Sequence, residues 1–214
     1  MKKVGLISDT HGTFSAEIKD FLSDVDVVLH CGDWGSIHTL EEVRAFKPVI
    51  GVYGDCDDQD IRLEVPLYQH FSLEDLNCLM IHIGGYPARY DYRAYQLINQ
   101  YKPDLFFCGH SHILRVMNDP HFTKPENPSK YLSDQHSQFS VNSSPLFGND
   151  NLSRAESSPK NSDDSSAGMG NVRKMLVMNP GACGIMGFHN IRTALRFKVD
   201  GRDISDLELG QWPR

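Results

Sequence analysis

Long apolar runs are missing from this sequence. Nothing approaches the roughly 20 consecutive apolar residues of a membrane helix, so no helical span is expected. Cysteine is scarce: Cys31, Cys56, Cys78, Cys108 and Cys183 are odd in number and show no C-x-x-C spacing. With no secretory signal pattern at the amino end, they read as reduced thiols, and the expected location is the cytoplasm. Positive charge is also in deficit. Twenty-one Lys and Arg against 28 Asp and Glu leave a net charge of −7. That argues against broad nucleic-acid binding, which needs a basic face. It does not exclude a local cationic site made by metal ions.

The 214 residues suffice for one domain, or one domain with an insertion. Apolar runs at 4–7, 26–30 and 49–53 alternate with helical spacing at about 15–22 (Thr13 or Ser15 as cap) and 37–46. Strand, helix, strand, helix, strand predicts right-handed crossovers and parallel strands. Residues 67–73 and 78–82 then read as an antiparallel hairpin, followed by a helix at 92–101 and strands at 104–108, 113–117 and 175–178. A last hairpin, 194–199 with 204–209, turns at Asp200-Gly201. Residues 119–172 differ: 12 serines, six asparagines and five prolines in 54 residues carry no sustained periodicity. Such a segment buries too little apolar surface to offset its conformational entropy, so a disordered insertion is expected, with Phe122 among the aromatics that could dock.

Polar groups cluster where the apolar runs stop. Asp9 and His11 follow the first, Asp33 the second, Asp55 the third, His82 the hairpin, and His110 with His112 the strand at 104–108. In an α/β sheet such ends converge on one edge, where ligands bind. Each residue alone reads as a turn residue or a satisfied core histidine; their joint occurrence points to metal. Three carboxylates and four imidazoles are too many for one tetrahedral zinc and suit two divalent ions sharing a bridging carboxylate.

The motifs D-T-H, G-D, G-D-C-D, H-I-G-G and G-H-S-H, in this order, resemble the calcineurin-like metallophosphoesterase superfamily. The small size and N-P-G-A at 179–182 resemble its YfcE-like phosphodiesterase branch. The resemblance implies a four-layer αββα sandwich of two mixed β-sheets. It implies one metal on Asp9, His11, Asp33 and His112, and a second on Asp33, Asp55, His82 and His110, with Asp33, Asp55 and His82 named as catalytic. The ions would be divalent, with manganese first and iron, nickel or zinc as alternatives. The activity would be hydrolysis of a small phosphoester by a metal-bridging hydroxide. The alternative is a non-catalytic protein-interaction scaffold of the same fold, Vps29-like. The oligomeric state is not legible.

Two residues depart from the family pattern. Asp55 stands where the family has asparagine, adding negative charge that lowers the attraction for an anionic substrate. Cys56 stands where many members have a histidine that protonates the leaving group, and it reads as a buried spacer. His38, His70 and His189 are weak substitutes, while Arg89 and Tyr90 offer a candidate phosphate contact. Cys31 and Cys108 read as small core residues.

Overall fold

The computed structural model describes residues 1–125, 172–187 and 189–214. The chain divides into a unit of Met1–Lys124 with Lys174–Arg214 and a second of Pro125–Arg173; the first carries the site. The elements are β1 (Lys2–Ile7), α1 (Ala16–Phe21), β2 (Val27–His30), α2 (Ile37–Phe46), β3 (Val49–Gly51), α3 (Gln59–Glu64), β4 (Tyr68–Leu73) and β5 (Leu76–Ile81). There follow β6 (Gly85–Tyr86), β7 (Arg89–Tyr90), α4 (Tyr92–Tyr101), β8 (Leu105–Phe107), β9 (Leu114–Pro125), β10 (Val172–Pro180), β11 (Ile191–Asp200) and β12 (Asp203–Pro213).

Two five-stranded mixed sheets form, ordered β12-β11-β1-β2-β3 and β4-β5-β8-β10-β9. The first three strands pair in parallel, and β11 pairs antiparallel to β1. In the second sheet β8 is parallel to both β5 and β10, while β4 is antiparallel to β5. Strand alternation explains the layering. Val4, Leu6, Leu29, Phe197, Cys78, Met80, Phe107 and Met178 turn inward and pack the sheets on each other. Ile7 and Val28 turn outward onto Ile18, Leu40, Val43 and Ile61 of α1, α2 and α3. Leu79, Ile81 and Phe106 turn outward onto Ala94, Leu97 and Ile98 of α4. Three apolar layers thus bind four structural layers, as the resemblance implied.

Local signals place the helices. Ser36 accepts from Thr39 N–H, Asp58 from Ile61 N–H, and Asp91 from Arg93 and Ala94 N–H. Ser15 occupies the N-cap of α1 but makes no side-chain cap bond; its Oγ accepts from Arg192 Nη1 at 3.0 Å instead. Helix α3 and the β6–β7 hairpin are absent from the sequence reading, being only six residues and two plus two residues long. Strand β9 runs on to Pro125, past the expected start of the insertion, because Asp119 accepts from Tyr90 Oη at 2.6 Å and Phe122 packs edge-on to Tyr90 and Tyr95. Most of the expected insertion lies outside the described residues. No helix among the described residues is long and apolar enough to cross a membrane.

Candidate metal centre

All seven residues expected at the site come together at one edge of the sandwich. Asp9, His11 and His112 form one group and Asp55, His82 and His110 another, the ligating atoms of each lying within 4.8 Å of one another. In the first, His112 Nε2 lies 3.2 Å from Asp9 Oδ1 and 3.2 Å from His11 Nε2. In the second, Asp55 Oδ1 lies 3.0 Å from His82 Nε2 and 2.9 Å from His110 Nδ1. Asp33 stands between them, its Oδ2 3.3 Å from His82 Nε2 and 3.9 Å from His11 Nε2.

The backbone is bent to bring these groups inward. Asp9, His11, Asp33, His110 and His112 all have left-handed φ, between 45° and 65°. Non-glycine residues seldom adopt that region, and such strain concentrates at functional sites. Glycine makes room beside them: a Cβ on Gly32 would sit 2.7 Å from His82 Nδ1, and one on Gly54 would overlap Asp33 Oδ1.

Buried partners hold the donors in place. His82 Nδ1 lies 2.7 Å from the Cys31 carbonyl, which can only accept, so Nδ1 carries the proton and Nε2 faces the site. Asn179 donates through Nδ2 to the Gly109 carbonyl at 2.7 Å and to Ser111 Oγ at 3.1 Å, fixing the G-H-S-H loop. Asp57 accepts the N–H groups of Asp33, Gly35 and Gly54 at 3.0, 3.0 and 2.8 Å, tying the second and third strand ends together. His30 is buried, stacks on Trp34 at 3.5 Å and accepts from Gly32 N–H through Nδ1, leaving its Nε2 to donate to Thr10 Oγ1. The sequence reading missed Asp57, Asn179 and His30 as supports. Asp57 was visible as the last residue of G-D-C-D, whereas His30 carried no motif signal.

Electrostatics follow from this packing. Burial alone would raise the Asp33 carboxyl, but His82 Nε2 at 3.3 Å, the Cys56 amide and the charge of His11 together hold it well below the usual carboxylate range. Burial alone would lower His82, yet Asp33 and Asp9 and the Cys31 carbonyl push it up to about 9.

The donor set fits divalent ions. Two imidazole nitrogens face each other at 3.2 Å, and Asp9 Oδ1 and His82 Nε2 are buried without hydrogen-bond partners among the described residues. Carboxylate oxygen and imidazole nitrogen suit zinc, manganese, iron or nickel, and a cation would relieve both features.

Two expectations change. Cys56 is exposed rather than a buried spacer, and its sulfur lies close enough to His11 and Asp33 to form a further donor group. Its N–H donates to Asp33 Oδ1 at 3.0 Å, and partial burial and the Asp33 charge push the thiol up to about 11. Arg89 and Tyr90 line a separate cavity with Lys102 and Phe122 that contains none of the seven donors, because the β6–β7 hairpin carries them away. His70 bonds Asn77 and stacks on Tyr101, and neither it, His38 nor His189 joins the donor groups. Cys31 and Cys108 are buried, as read.

The fold and the donors define an α/β sandwich with a metal centre at its sheet edge. A description of the calcineurin-like phosphoesterase superfamily domain matches residues 1–128, and the chain belongs to that family. The family is one of metal-dependent phosphoester hydrolases. A probable metallophosphoesterase of Methanothermobacter thermautotrophicus is 29% identical over 133 residues, covering 59% of this chain and 77% of that protein. Vps29 of Chaetomium thermophilum superposes with a TM-score of 0.60 over 100% of both chains at 12% identity. Zinc-bound Vps29 of Entamoeba histolytica does so with a TM-score of 0.56 over 99% of this chain and 98% of that one, also at 12%. At that identity the likeness concerns the fold alone.

Proposed function

We propose that this protein hydrolyses a small phosphoester, a phosphodiester in first place, with two divalent ions held at the seven converging donors. The observation that carries the proposal is the pair of donor groups with the Asp33 carboxylate between them. Asp9, His11, Asp33 and His112 would hold one ion, and Asp33, Asp55, His82 and His110 the other, with manganese the first choice. Bound there, the ions would supply Lewis acidity and water acidified toward neutral pH. Asp33 keeps its charge at any physiological pH, as a bridging ligand must. His82 is orientated through Cys31, and His110 through the loop that Asn179 braces.

A cleft of about 490 Å³ opens beside Asp55 and His82, lined by Tyr53, Arg62, Leu67, Tyr92 and Arg93. Its aromatic and cationic walls suit the organic part of a phosphoester anion. Arg62 is engaged there, donating to the Asp57 and Asp55 carbonyls at 2.8 and 3.1 Å, and so braces the third strand end. Cys56 replaces the leaving-group histidine of many members, and a thiol pushed up to about 11 is a weak acid. Substrates with a good leaving group follow. The reduced-thiol reading keeps the cytoplasm as the proposed location.

The test is hydrolysis of bis-p-nitrophenyl phosphate by metal-free protein titrated with Mn²⁺, Fe²⁺, Ni²⁺ and Zn²⁺. Metal-dependent turnover is expected, and His110→Ala should lose more than the roughly 10–100-fold typical of outer-shell changes. Turnover indifferent to metal and to His110→Ala refutes the reading. The likeness to Vps29 structures supports one rival, a non-catalytic scaffold. Two bound metals with no turnover would favour it.

A further inference from the structure

A guanidinium without a hydrogen-bond partner among the described residues lies beside His112 of the metal centre. Arg214 follows β12, its N–H donating to the Asn190 carbonyl at 3.0 Å. The side chain runs toward His112. A Cβ on Gly187 would meet Arg214 Nη1 and His112 Nδ1 together, with Arg214 Nη2 at 2.7 Å. Arg214 Nε, Nη1 and Nη2 are all buried and have no hydrogen-bond partner among the described residues; nor has His112 Nδ1. Neighbouring Arg192 differs, since it donates to Ser15 Oγ at 3.0 Å and to the Pro213 carbonyl at 3.1 Å. Burial and Arg192 draw the Arg214 pKa down while Asp9 draws it back, so the guanidinium sits within reach of the centre's charges.

A desolvated cation left without acceptors is unfavourable in a folded protein. The described residues supply no acceptor, and on the reading above the adjoining centre takes phosphoester anions. We infer that Arg214 binds phosphoryl oxygen of the substrate on the His11–His112 side of the centre, an inference that rests on the phosphoesterase reading above. The planar guanidinium fork matches two phosphate oxygens. It also adds one positive charge to a centre to which Asp55 adds a negative one. Beside the guanidinium runs the segment Gly184-Ile185-Met186-Gly187. Ile185 and Met186 are 56% and 60% exposed, and Gly187, with φ 132°, places no side chain between guanidinium and imidazole. Binding there requires the long arginine side chain to rotate past Gly187, which bears no side chain to block it.

The test measures inorganic phosphate affinity by calorimetry on the manganese-loaded full chain, with metal content and Tm beside it, for wild type, Arg214→Met and Arg214→Lys. R214M is expected to weaken phosphate binding about 10–100-fold, the worth of one charged hydrogen-bonded contact. R214K, keeping charge without the fork, should fall between. Metal content should stay constant, and Tm should hold or rise in R214M because a buried unpaired charge is removed. Phosphate affinity unchanged in R214M, with or without a fall in Tm, makes the guanidinium structural and overturns the inference. If R214M does not fold, wild-type phosphate affinity in R214K overturns it. Wild-type hydrolysis of bis-p-nitrophenyl phosphate alongside unchanged phosphate affinity in the variants sinks the Arg214 role alone. Wild-type protein that binds manganese but neither hydrolyses the diester nor binds phosphate sinks the phosphoesterase reading with it.

Discussion

Asp57 belongs to none of the donor groups, yet its removal should disturb the site as well as the fold. Its carboxylate accepts three backbone N–H groups: Oδ2 takes Asp33 and Gly54, and Oδ1 takes Gly35. Asp57→Ala strands all three. Two of those bonds are buried and one is part-buried. A buried donor left unpaired costs about 1–3 kcal/mol, so three sum to at most about 3–9 kcal/mol, the part-buried Gly35 N–H counting least, a large share of a typical total stability of about 5–15 kcal/mol. Asp57→Asn can keep its oxygen toward Asp33 and Gly54 but turns an NH₂ toward the Gly35 N–H, so about 1–3 kcal/mol is expected. Urea unfolding of the metal-free protein measures both. Because Asp33 and Asp55 sit on the loops that Asp57 joins, metal stoichiometry in Asp57→Asn should also fall or weaken. Equal midpoints for wild type and Asp57→Ala would refute this account of how the two strand ends are held.

Replacing Asp55 with asparagine removes a half-exposed carboxylate from beside His82 and His110; with solvent screening, a gain of about 5–30-fold in diester kcat/KM is expected at saturating metal, and a loss would show that ligand strength outweighs charge. In metal-free protein His82 is pushed up to about 9 from 6.5, so its contribution to stability is fully present below pH 6.5 and is lost as pH rises through 9. Unfolding curves should lose at most about 3 kcal/mol across that window, with no separate addition for Asp33, whose low value arises from the same pair. Metal affinity should climb over the same range as that proton becomes easier to displace. A maleimide at neutral pH should label Cys56 slowly and label Cys31, Cys78, Cys108 and Cys183 only after denaturation, since these four are buried; mass spectrometry decides.

The sequence by itself determined the strand ends. Apolar runs that stop at Asp9, Asp33, Asp55, His82 and His110 are local signals, and a sheet has to collect such ends on one edge, so the donor groups were legible before any coordinate. The parallel start, the β4–β5 hairpin and the last hairpin were legible for the same reason, since alternation and turn residues act within a few positions. What tertiary structure alone decided was who holds whom. Asp57 reaches Asp33 from 24 positions away, and Asn179 reaches Gly109 from 70. Cys56 is exposed yet sits within donor distance of His11 and Asp33, and β9 outran its expected end because Asp119 meets Tyr90. Arg214 stands beside His112 only because β12 carries it along the full length of β11. Hydrogen-bond acceptors and unpaired charges are assigned by distance in space, which periodicity along a chain does not encode.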